Sequence, residues 1–293
     1  ATLPADGATL GQTQWVASAR LAGRRLPGGR RGPPAHGRGP SNVDRKEFQV
    51  KKTAAIPASL TENPIDPRWK MLFYIAALAA IYMVILIPIQ GAVFVLSPPP
   101  STVLGFFELF QKNVLIGLID LDLLLTIDYI LVLFIYFAMF IVLSRKDKSL
   151  SLIAIILGCL SITLYIVSRE ATISMIPLSN EYFSATTEVQ KAATVAAGKT
   201  LLAVYNGTSF VISYVLGGFT MLLFSIAMLK DELFENSIPI TGLITGVLMF
   251  VPPTVGEIGV WISMVSLVPS LIWMILMARW LSRTARTLAQ HRQ

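Results

Sequence analysis

The stretch LDLLLTIDYILVLFIYFAMFIVL, residues 121–143, runs for twenty-three residues with only two ionisable groups that carry charge at neutral pH, Asp122 and Asp128. A helix needs ~20 apolar residues to cross the hydrocarbon core of a bilayer. Its apolar residues occupy every face of a helix rather than one stripe, so lipid is the expected solvent on at least one side. Arg145, Lys146 and Lys148 follow at once and mark a water boundary.

Comparable runs lie on either side. Residues 71–95 form the first span, closed by Pro98-Pro99-Pro100, with Pro88 expected to kink its far end. Residues 101–119 read as an interfacial helix leading into the second span. Residues 150–167 form the third span. A polar, Ala-rich section, 180–198, leads to the fourth at 208–229. The fifth is expected at 238–257 and the sixth at 260–281, with Pro269 inside it. The fifth is short: residues 240–251 cover ~18 Å at 1.5 Å per residue. The irregular stretch from Pro252 to Gly259 has to complete it.

Composition agrees with this reading. Of 293 residues, 54% are hydrophobic and 14% charged, too few charges for an ordinary soluble surface. The net charge of +7 is local. Residues 1–52 hold ten Lys/Arg and three Asp/Glu, while the remainder holds fourteen of each sign. This Arg/Gly/Pro-rich tail has no apolar periodicity and reads as disordered. Basic Gly/Arg tracts can bind phosphates, but a solvated tail is the plainer reading, and no nucleic-acid partner is expected. Residues 284–293 read as a short basic cytoplasmic tail.

Lys/Arg counting orients the chain, because cytoplasmic flanks carry the excess. One side collects fourteen, from Arg45 through Arg145, Lys146, Lys148 and Lys230 to Arg279, Arg283, Arg286 and Arg292. The other has four: Lys112, Arg169, Lys191 and Lys199. The alternation holds only with six crossings. The expected fold is an all-α polytopic transmembrane bundle of six helices with both termini cytoplasmic.

The single cysteine, Cys159, allows no intramolecular disulfide, and His36 and His291 both lie in the tails. An intramembrane haem, a zinc site and a Ser-His pair are excluded on that ground. No Gly-rich phosphate loop or metal-ligand spacing occurs, and no cofactor is expected.

Ionisable groups at membrane depth cost at least ~2.5 kcal/mol on insertion scales and point to function. Asp120 and Asp122 stand at the mouth of the second span and Asp128 lies ~10 Å inside it. Eight residues separate Asp120 from Asp128, so on one continuous helix both face one interior. Arg169 and Glu170 end the third span on the same side, Tyr205 and Asn206 open the fourth, and Glu257 lies between the fifth and sixth. The sharp expectation is a polar cavity open to the outer leaflet, with Arg169 paired to Asp128 or Glu257. The plainer one is an ion pair and wet loop residues near headgroups. Asn206-Gly207-Thr208 matches a glycosylation acceptor but abuts the membrane and reads as a helix start. Gly242 and Gly246 form a Gly-x-x-x-Gly pair for close helix packing, within the chain or against a second copy or membrane partner.

The segments Leu201-Leu202-Ala203-Val204-Tyr205-Asn206-Gly207-Thr208-Ser209-Phe210, Ser213-Tyr214-Val215-Leu216-Gly217, Ile240-Thr241-Gly242-Leu243-Ile244-Thr245-Gly246-Val247-Leu248 and Ile272-Trp273-Met274-Ile275-Leu276-Met277-Ala278-Arg279 carry a resemblance. Over about residues 71–283 the chain resembles a family of bacterial membrane proteins described only as a domain of unknown function. The resemblance implies a multi-pass protein of the bacterial cytoplasmic membrane and transfers no activity or ligand. Three functional classes follow from the residues. The first is a non-enzymatic protein that binds or passes a small or lipid-like molecule. The second is an accessory subunit packing on a partner. The third is an intramembrane lipid-modifying enzyme using Asp or Glu, which the absence of histidine in the spans disfavours.

Overall fold

A computed structural model describes residues 65–290, and among them the chain is wholly helical, without strands. The basic tail expected over 1–52, with His36, His291 and Arg292, lies outside the described residues. After a 3-10 turn at Pro67–Trp69 come α1 (Lys70–Leu96), α2 (Val103–Lys112), α3 (Val114–Asp120), α4 (Leu123–Leu143) and α5 (Lys148–Ser168). There follow α6 (Ala171–Ser184), α7 (Glu188–Tyr205), α8 (Thr208–Leu229), α9 (Ser237–Leu248) and α10 (Gly256–Gln290).

Side-chain caps set many of these boundaries. Thr102 accepts from the Gly105 amide at 3.1 Å, Asn113 from Ile116 at 3.1 Å and Asp147 from Leu150 at 3.0 Å. Thr187 and Gln190 form a reciprocal capping box at the start of α7. Each satisfies amides that the first helical turn leaves without partners.

Among the described residues, five helical stretches are long and apolar enough to cross a membrane: Pro67–Leu96, Leu123–Leu143, Lys148–Ser184, Glu188–Leu229 and Gly256–Gln290. Helix α9 is apolar but has only twelve residues. The outward faces are apolar too. Leu78, Ile81 and Ile85 on α1, Ile153 and Ile156 on α5, and Met264, Val265 and Val268 on α10 are all exposed. A monomer in water does not carry such surfaces, so the protein is membrane-embedded.

Two apolar cores organise the chain. The larger lies among α1, α4, α5, α8 and α10, where Phe73, Tyr136, Ile162, Phe224, Trp273 and Met277 are buried. The smaller joins Val103, Phe106, Phe107 and Phe110 of α2 to Ala171 and Met175 of α6, with Leu121 and side chains of α7 around them. A Cβ on Gly198 of α7 would lie 2.5 Å from Val103, so glycine is what lets α7 approach α2. The polar 180–198 section is thus largely helical and packed. With α2 and α3 it forms a helical cap over one end of the bundle.

The opposite end is basic. Lys146 pairs with Asp231 at 3.4 Å and Lys230 with Asp147 at 3.2 Å, crossing the α4–α5 and α8–α9 turns. Trp280 donates to the Leu233 carbonyl at 3.0 Å, and its ring lies 6.4 Å from Phe73. The start of α1 and the late part of α10 therefore meet at this end. Helix α10 also continues past 283 to Gln290, where the sequence suggested a tail.

Pro88 sits inside α1, which runs on to Leu96. The stretch expected to form one interfacial helix over 101–119 is divided at Asn113, whose backbone is extended. Beyond α9, turns at 249–255 carry the chain into α10.

Candidate functional site

Cap and bundle meet at an ion pair. Asp122 sits between α3 and α4 at φ 64°, ψ 30°, in the left-handed region, the one non-glycine among the described residues to do so. That conformation costs a β-carbon clash which Asp tolerates better than most residues. It turns the chain sharply, burying Leu121 completely and leaving Asp122 as the N-cap of α4.

The Asp122 carboxylate accepts from the guanidinium of Arg169, which caps the C-terminus of α5. The same Oδ2 accepts from the Tyr205 hydroxyl and, at 3.5 Å, from Tyr165. Arg169 also donates to the Tyr205 carbonyl at 3.2 Å and the Ser168 hydroxyl at 3.1 Å. Arg169 is 5% exposed and Asp122 7%. Both partners occupy the helix ends that suit them: the anion at the positive start of α4, the cation at the negative end of α5 and beside the last carbonyl of α7.

Aromatic rings enclose the cation. Its guanidinium carbon lies 4.6 Å from the Tyr165 ring centre, 3.8 Å from Tyr205 and 4.5 Å from Phe210. Tyr129 of α4 stacks on Tyr165 at 3.6 Å, tying the cluster to the second span. Away from water, ring quadrupoles stabilise a cation more than they do at a surface. Thr172, the second residue of α6, donates to the Leu121 carbonyl and closes the junction.

Close to Asp122 in the sequence, and on α1, are buried groups that are not satisfied. Asp120 and Asp128 are each 3% exposed, and none of their four carboxyl oxygens has a hydrogen-bond partner. Gln90 of α1, also 3% exposed, donates to the Ile119 carbonyl at 2.9 Å and leaves its own oxygen without a partner. Gln90 therefore reaches the peptide immediately before Asp120. Burial pushes the Asp120 carboxyl up from its ordinary 3.8 to about 6. Asp128 falls on the buried stripe of α4, with Val132, Ile135, Met139 and Val142 at helical spacing.

Several expectations change here. Arg169 pairs with Asp122 rather than with Asp128 or Glu257. Asp120 and Asp128 do not share a continuous helix, because the left-handed Asp122 breaks the chain between them. Tyr205 belongs to the site as part of the cage. Asn206 is exposed and ends α7, while Gly207 starts α8; Glu170 and Glu257 are exposed. Gly242 and Gly246 are covered within the chain. A Cβ on Gly242 would lie 2.2 Å from Ser225 Oγ, and one on Gly246 would lie 3.0 Å from the Gly218 carbonyl. Asp122 as the partner, the Tyr165 and Phe210 rings, and Gln90 are what the structure adds to the expected site. Two signals were available: Tyr165 and Arg169 are four apart, hence on one helical face, and Gln90 is a lone amide in an apolar span.

A family model described as "Domain of unknown function (DUF4386)" matches residues 71–283. No curated protein and no solved structure matches the chain.

Proposed function

The chain belongs to this family of unknown function, and we propose that it is a multi-pass membrane protein that binds or passes a small amphipathic molecule at the cap end of its bundle. The observation that carries this reading is two buried carboxyls, Asp120 and Asp128, left without partners, the first of them next to the peptide that the Gln90 amide reaches. Buried polar groups are nearly always hydrogen-bonded, and carboxylates in apolar surroundings are costly unless compensated. A positive charge or a set of hydrogen-bond donors supplies that compensation. The molecule suited to the site is therefore apolar in body and cationic or donor-bearing at one end. A proton and such a ligand compete for the same oxygens, which is the elementary step of a gradient-driven exchange.

Six crossings with both ends cytoplasmic in a bacterial cytoplasmic membrane fit this reading. Most of the described basic residues gather at one end, the first and last spans begin and finish there, and in this reading α9 with the turns after it makes the remaining, short crossing. The alternative of an accessory subunit contacting a partner through Gly242 and Gly246 gains no support, since α8 and α10 cover Gly242 and α8 covers Gly246.

Equilibrium dialysis of the purified chain in mild detergent against tetraphenylphosphonium, an amphipathic cation, tests the proposal. Saturable retention by the wild type, lost in Asp128→Asn and weakened in Asp120→Asn, is expected. Equal retention by all three contradicts it.

A further inference from the structure

The basic end carries a second feature, remote from the unpartnered acids. Arg279, Arg283 and Arg286 recur on one face of α10, at intervals of four and three residues. With Ser282 and Ala278 they line an open groove of about 270 Å³ whose opposite wall is Ile81 of α1. Arg283 reaches Glu235 at 3.5 Å, while Arg279 and Arg286 have no ion-pair partner among the described residues. Three arginines thus line one depression, and among the described residues only Arg283 of the three has an ion-pair partner.

The walls differ in chemistry. Arginines and a serine hydroxyl form one side, and Ile81 belongs to an exposed apolar stripe of α1 that includes Leu78 and Ile85. A free phosphate would use the first wall and gain nothing from the second. A phospholipid uses both, with its phosphate among the guanidinium groups and an acyl chain along α1. Guanidinium forks match phosphate oxygens in geometry as well as charge. The excess of arginine over carboxylate favours a headgroup with net negative charge, which a zwitterionic headgroup lacks.

We infer that the groove between α1 and α10 is a binding site for an anionic phospholipid headgroup. The occupied site would join the first and last spans at their shared end through a molecule of the surrounding leaflet. It neither requires nor excludes a ligand at Asp120 and Asp128.

Native mass spectrometry of the full chain in mild detergent, doped with phosphatidylglycerol or phosphatidylcholine, tests this. The wild type should retain phosphatidylglycerol in preference to phosphatidylcholine. Arg279→Gln with Arg286→Gln should weaken retention by roughly fivefold for each arginine removed. Arg68→Gln removes a basic-end charge outside the groove and should leave retention unchanged. Ser282→Asp places a carboxylate among the arginines and should reproduce the loss by a different route. Equal retention of the two lipids, or an equal loss in Arg68→Gln, overturns the site in favour of general basicity. Displacement of the lipid by millimolar inorganic phosphate overturns it in favour of a free phosphate site.

Discussion

Asp122 and Arg169 form a buried ion pair in which each partner terminates a helix, the acid beginning α4 and the base ending α5. The pair fixes the cap to the bundle: Arg169 also binds the last carbonyl of α7, and Asp122 takes the hydroxyl of Tyr205. Removing one charge leaves the other buried without compensation, which costs about 3–5 kcal/mol. Asp122→Ala and Arg169→Met should each lower the melting temperature in detergent sharply. The double variant Asp122→Asn with Arg169→Met, which keeps a residue that tolerates the left-handed turn, should melt above either single variant. If the singles melt as the wild type does, the pair is not buried as described.

The two tyrosine hydroxyls on Asp122 are unequal. Tyr205 makes the close contact and Tyr165 stands at 3.5 Å. A lost hydrogen bond to a charged group is worth about 1.5–3 kcal/mol, so Tyr205→Phe should destabilise measurably and Tyr165→Phe much less. Both variants keep their rings over Arg169. Thermal melts of the pair read the difference, and equal losses would count against the geometry.

Gly242 leaves no room for a side chain, since an added Cβ meets Ser225 Oγ at 2.2 Å and Trp273 Nε1 at 3.0 Å. Overpacking of this kind typically costs about 1–3 kcal/mol. Gly242→Ala should therefore lower stability, and adding Ser225→Ala should restore part of it, because that hydroxyl has no partner to lose. Were the glycine instead an intermolecular face, Gly242→Ala would alter oligomeric mass and spare the melt of the monomer.

Asp120 gives a pH signature. Its carboxyl is raised to about 6 from 3.8, so the folded chain holds a proton through a range where the unfolded chain has lost it. Stability linked to this group is fully present below the unfolded value, declines as pH rises from about 4 to 6, and is flat above. The melting temperature of the wild type should fall relative to Asp120→Asn across that window. A constant difference between the two from pH 4 to 7 would show that the carboxyl is not perturbed by burial.

Much of the bundle was legible because long apolar runs leave few alternatives: 121–143, 150–167 and 208–229 correspond closely to α4, α5 and α8. The cap was harder. Residues 180–198 are polar enough to resemble a linker, yet Thr187-x-x-Gln190 is a capping-box pattern and announces the start of α7. The site was legible in its residue types and not in its pairings. Asp120 and Asp128 stand out as acids near membrane depth, but relating them by helical phase needs a continuous helix. No glycine or proline between them signals the left-handed turn at Asp122. Nor does spacing say which of the nearby acids meets Arg169; tertiary packing decides that.

Dicyclohexylcarbodiimide, an apolar reagent that couples to carboxylic acids in apolar surroundings, tests the central claim that Asp120 and Asp128 are buried carboxyls available to a ligand. Peptide mapping by mass spectrometry should find adducts at Asp120 and Asp128, reduced by prior tetraphenylphosphonium, and none at Asp122, which Arg169 and Tyr205 engage. Adducts confined to exposed acids such as Glu257, with Asp128 unmodified, would contradict it.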